Sequence, residues 1–140
     1  MGGRGCEGGM LFDGVWLIRE ECCNEFSDPG PLQIDPEWMT CALRRAGAIR
    51  GTKVVEMTCK PVGNGVVGDS YRFGLAYEEV EPDAPARVIG KFPAADPDSR
   101  RSGSAHLLYL REVSFYLELA HTLPIQTPRP LRRRYRSGNR

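Results

Sequence analysis

Histidine occurs only twice in this 140-residue chain, and lysine three times against sixteen arginines. The five cysteines are odd in number and form no Cys-x-x-Cys pair, so neither a zinc site nor a disulfide framework is legible. No base is placed by the sequence beside a cysteine, which leaves cysteine catalysis without support. The thiols read as reduced groups of a cytoplasmic protein. Long apolar runs are also lacking: Met10-Leu11-Phe12 and Val15-Trp16-Leu17-Ile18 are short and separated by Asp13 and Gly14, which argues against a signal peptide and a membrane helix. Gly2 stands where a myristoyl acceptor would, but Cys6 replaces the Ser or Thr of that motif. No internal repeat or heptad run is present. Acidic residues are missing after Glu118, the last of eighteen.

What remains is the composition of one folded domain, with 41% hydrophobic and 26% charged residues. Residues 1–34 read as a poorly ordered extension or a mis-assigned start upstream of Met10. Order begins at Asp35-Pro36, an N-cap followed by a proline at the first helical position, and Trp38, Met39, Ala42, Leu43 and Ala46 continue a helix that Gly47 stops. Trp38 and Leu43 are its expected core contacts. Next come Lys53–Lys60 and Tyr71–Tyr77, both alternating and rich in β-branched or aromatic residues, so the spacing predicts two strands. Gly63-Asn64-Gly65-Val66-Val67-Gly68 lies at the tip between them.

A G-x-G-x-x-G run that opens a helix marks dinucleotide-binding folds, whereas here a strand follows it. Glycines at a hairpin tip let the backbone approach a ligand and turn amide N–H groups toward phosphate oxygens. A hairpin turn without any ligand fits the same residues. Arg87–Pro93 reads as a third strand, and it carries Lys91 at alternation distance from Ile89. A compact ammonium suits a bound phosphate, although a strand-end lysine facing water is the simpler reading of that residue alone. Leu107, Leu108, Leu110, Val113, Tyr116, Leu117, Leu119 and Ala120 then recur at spacings of three and four, predicting one long helix over about 104–122 with Glu112 beside its apolar stripe. The preceding Ala94–Ser104 reads as a polar loop.

Pro36–Thr40, Ala42–Gly47, the glycine loop through Tyr71-Arg72, Gly90–Ala94, Tyr109–Tyr116 and Leu123–Arg129 together resemble the amino-terminal lobe of aminoglycoside-phosphotransferase-like kinases. Within these the chain looks most similar to the ecdysteroid-kinase-like branch of small-molecule kinases. The resemblance covers residues 35–129 and implies a protein-kinase-like nucleotide lobe whose cofactor is ATP. It implies that Gly63, Gly65 and Gly68 lie over the nucleotide phosphates, that Lys91 contacts them, and that Glu112 orients Lys91. In that family the proton-accepting aspartate and the Mg²⁺ ligands come from a second, helical lobe. Neither His106 nor His121 stands in a catalytic-loop sequence, so no catalytic residue or metal ligand is assigned, and Mg²⁺ is expected only with a full-length protein.

Residues 129–140 carry six arginines and no acid, while residues 1–128 hold thirteen basic residues against eighteen acids. This reads as a basic tail over 130–140, produced by truncation or a shift of reading frame. The expected fold is α+β: an antiparallel sheet of at least three strands with a glycine-rich hairpin, a short leading helix and one long packed helix. The expected function is the nucleotide-binding part of an ATP-dependent small-molecule phosphotransferase, inactive alone, with a nucleotide and a separately encoded C-terminal lobe as partners, a tendency to self-associate and no membrane. Two alternatives stand beside it: a non-catalytic interaction module on the same lobe, and, as the weaker one, nucleic-acid binding through the arginine tail.

Overall fold

A computed structural model describes residues 10–13 and 30–131. Helix α1, Pro36–Arg45, begins as the residue types dictate: the Asp35 carboxylate accepts the Trp38 N–H at 2.7 Å, and Pro36 occupies the first turn. Glu37 near its start and Arg44 and Arg45 near its end suit the helix dipole. Gly47 follows at φ +70°, a left-handed conformation that costs glycine little. Met39, Thr40, Ala42 and Leu43 form the buried stripe. The Thr40 hydroxyl donates to the Pro36 carbonyl at 2.7 Å and accepts the Val54 N–H at 2.9 Å, which ties the helix to the first residue of the next strand.

The sheet contains β1 (Met10–Asp13), β2 (Val54–Pro61), β3 (Gly68–Tyr77), β4 (Arg87–Pro93) and β5 (Arg129–Pro130), in the spatial order β2-β3-β4-β1-β5 with every pair antiparallel. Register sorts the side chains. Phe73 stands opposite Cys59 on one side and Val88 on the other, so all three point to the face that packs against α1. Phe73, Met39, Leu43, Ile49 and Val88 are fully buried there. Phe92 closes this layer edge-on to Tyr71 and Phe73, with ring centroids 5.9 and 6.4 Å apart. An irregularity between Val54 and Glu56 shifts the alternation, so that Val54 is buried while Val55 is exposed.

Parts of the stretch read as an extension lie in the fold. Met10–Asp13 pairs with β4 and β5, and Ile34 is buried in the core. The rest of residues 1–29, and 132–140 of the basic tail, are outside the described residues. The expected long helix is also corrected. Pro97–Ala105 forms a helix of its own, α2, where a loop was expected, and the Asp96 carboxylate caps it by accepting the Ser99 N–H at 2.8 Å. Leu107 then takes φ 55°, which interrupts the helical path before α3, Leu108–Ser114. Wider turns over Phe115–Leu119 and tighter ones over Ala120–Thr122 follow. Cys41, on the half-buried flank of α1, is disulfide-bonded, so the expectation of five reduced thiols does not hold. Cys59 is free, and burial raises its thiol pKa. No described helix is long and apolar enough to cross a membrane.

Glu81 braces the far end of the sheet. Its carboxylate accepts the backbone N–H groups of Arg50, Gly51 and Thr52 at 2.6, 3.0 and 3.0 Å. These contacts, led by Thr52, hold its pKa below the ordinary glutamate value. A depressed folded-state pKa means that the stabilisation is present above the unfolded value and disappears as pH falls through the folded one. Glu81→Gln is therefore expected to destabilise the protein at neutral pH, with the difference from the unsubstituted protein shrinking in acid, as followed by urea denaturation across pH. A difference independent of pH would refute the carboxylate's role. In the core, Phe73→Ala should cost about 3–5 kcal/mol, the range for truncating a buried phenylalanine. A loss below about 1 kcal/mol in urea would place Phe73 outside a packed interior.

Candidate functional site

At the opposite end of the sheet the β2–β3 connection folds back over the strands. Gly63 takes φ +75°, and Gly65 approaches Gly68 so closely that a Cβ on Gly65 would stand 1.7 Å from the Gly68 carbonyl oxygen. Only glycine fits at position 65. A Cβ on Gly68 would meet the Phe92 carbonyl at 3.1 Å, so the loop also lies tightly on β4. The Tyr109 hydroxyl donates to the Val67 carbonyl and fastens the loop to α3. Gly103 of α2 gives that tyrosine room, because a Cβ there would fall 2.6 Å from its hydroxyl oxygen.

Lys91 lies on β4 directly opposite Ser70 of β3, on the face turned away from α1. Its ammonium donates to Glu112 Oε1 of α3, and the two form an ion pair. Burial, followed by the charge of Glu112, raises the phenol pKa of Tyr116 one helical turn further on. The lysine and glutamate side chains remain 39% and 32% exposed, so a ligand can reach them. Between loop, strand and helix lies a cavity of about 180 Å³, lined by Gly65, Gly68, Ser70, Lys91, Tyr109 and Glu112 among others. The structure thus brings Lys91, Glu112, Gly65 and Gly68 to one cleft, while Gly63 sits at the loop's entry and does not line it.

Sequence reasoning missed Tyr109 and Ser70. Tyr109 precedes Glu112 by three positions, which puts both on the same helix face, and Ser70 was assigned to the turn because the strand was expected to start at Tyr71. Chemically, the cleft offers one ammonium, a hydroxyl and a closely approaching backbone, which suits an anion with several oxygens. Among the described residues, no group of three or more His, Cys, Asp or Glu side chains is placed to hold a metal ion. Comparison of the chain with protein-family models, with curated proteins and with solved structures finds no match.

The ion pair can be measured directly. A double-mutant cycle on Lys91→Met and Glu112→Gln should give a coupling of about 0.5–1 kcal/mol, the size for a pair still open to solvent. Coupling indistinguishable from zero would mean that the two side chains do not engage.

Proposed function

We propose that this lobe binds the phosphate chain of a nucleotide, ATP in the first instance, as the nucleotide-handling part of a small-molecule phosphotransferase. The observation that carries the reading is the Lys91–Glu112 ion pair beneath a loop whose Gly65 admits no side chain. Glu112 holds the ammonium of Lys91 at the cleft, and Lys91 meets the phosphate oxygens. The backbone from Gly65 to Gly68 comes close enough to contribute amide groups, which a larger side chain at position 65 would prevent.

The residues fit the nucleotide's phosphates but not its magnesium. Glu112 is engaged with Lys91, and among the described residues no group of three or more His, Cys, Asp or Glu side chains is placed to hold a metal ion. Phosphoryl transfer needs charge neutralisation as well as positioning, and on this reading the lobe supplies the positioning. Leu119 and Ile125, 54% and 58% exposed in the chain that follows α3, favour a second reading in which the lobe is an interaction module. Partner binding that ignores added nucleotide would distinguish it.

Calorimetry with Mg²⁺ present is expected to give ATP binding in the high-micromolar to millimolar range, about 4–6 kcal/mol, without phosphate release. Lys91→Ala should weaken it about tenfold or more, since a charge-assisted contact is worth roughly 1.5–3 kcal/mol. Binding unchanged by Lys91→Ala, or turnover by the lobe alone, would refute the reading.

A further inference from the structure

Beyond the cleft, the same face of the sheet carries two cations that the fold does not use. Lys60 of β2 stands directly opposite Arg72 of β3, and both are exposed. Like charges in register across two strands destabilise the pairing. No carboxylate relieves them: among the described residues neither side chain takes part in an ion pair or hydrogen bond. Elsewhere on the exposed surface Lys53 pairs with Glu78 and Arg101 with Asp98.

The register connects this pair to the cleft. Arg72 is two residues along β3 from Ser70, and Ser70 faces Lys91 across the strands. Arg72 and Lys91 are therefore diagonal neighbours, roughly 7–8 Å apart at their backbones, and Lys60 lies one strand further, about 5 Å away. Glu56 and Arg87 share the face but stand toward its other end, two strand positions beyond Thr58 and Ile89 respectively. The result is a row, Lys91–Arg72–Lys60, that leaves the cleft and crosses the hairpin beneath the glycine loop. A cavity of about 180 Å³ is smaller than the roughly 300–1,000 Å³ that encloses a whole drug-sized ligand. It has room for phosphate groups, and the cationic row offers them further contacts.

We infer that the site reads a small polyphosphate chain rather than the nucleoside attached to it, with Arg72 and Lys60 extending the phosphate contacts of Lys91; the inference rests on the phosphate-binding reading of the cleft. The polyphosphate supplies the negative charge that the Lys60–Arg72 pair lacks. Discrimination among purine and pyrimidine triphosphates is then weak, because the base is not what the lobe grips.

Calorimetric titrations with sodium tripolyphosphate, ATP and adenosine test this on the whole chain, on Lys91→Ala, and on the exposed double variant Lys60→Gln/Arg72→Gln. Tripolyphosphate is expected to bind within about threefold of ATP and adenosine not at all, and the double variant should lose about tenfold for both anions, as expected when charge-assisted contacts are removed. Lys53→Gln/Arg101→Gln removes equal charge elsewhere and should change either affinity by less than about twofold, surface pairs of this kind being weak and screened. If ATP binds through Lys91 but Lys60→Gln/Arg72→Gln has no effect, or if tripolyphosphate fails to bind where ATP does, the inference falls and the cleft reading stands. If Lys91→Ala leaves all binding unchanged, the cleft reading itself falls and takes the inference with it.

Discussion

The register of β3 between β2 and β4 is the constraint from which the rest follows. Phe73 faces the α1 layer only because Ser70 and Arg72 face the other way, and the pairings with Cys59 and Val88 on one face force those with Lys60 and Ile89 on the other. A slip of one residue would exchange the two faces, exposing Phe73 and burying Arg72. The core that stabilises the sheet and the cationic row on its open face are two readings of one alternation. Stability of the buried face therefore holds the open face in place and offsets the repulsion of Lys60 and Arg72 across it.

Local chemistry explains which elements were legible in the sequence. Asp35-Pro36 announces α1, and the strands show their period of two because one face is buried while the other meets water. Asp96-Pro97 announces α2 with the same cap and proline, yet the intervening Ser99, Arg100, Arg101, Ser102, Gly103 and Ser104 provide no apolar stripe. That helix is held by its cap and by the contact of Gly103 with Tyr109 rather than by amphipathicity. Periodicity, the signal used for the long helix, cannot see an element of this kind.

The remainder depended on contacts distant in sequence. Nothing near Met10 specifies that Leu11 will pair with Gly90, and the two-residue strand at Arg129 exists only because β1 is present to receive it. The break at Leu107 is similar: a leucine has no intrinsic preference for φ 55°, so packing of Tyr109 under the glycine loop has to overrule local propensity. The order loop–lysine–glutamate was visible from the residues, whereas the tyrosine that fastens the loop was not, because hydrogen bonding to a backbone carbonyl leaves no pattern in sequence.

The energetics of Lys91 and Glu112 bear on why they are paired at all. Each is about one-third exposed, so solvent screens their attraction and the pair adds little to folding. A more stabilising choice at this place would be two apolar side chains continuing the packing of Val113. The partial exposure has a different consequence: the ammonium is held by Glu112 while still open to solvent, so on the proposed reading a phosphate oxygen would replace water rather than break the ion pair. Orientation is supplied in advance and desolvation stays small. Full burial would strengthen the pair electrostatically but would close Lys91 to any ligand, and full exposure would leave the ammonium unpositioned. The intermediate burial of the pair lies between these two limits, as the proposed anion site would require.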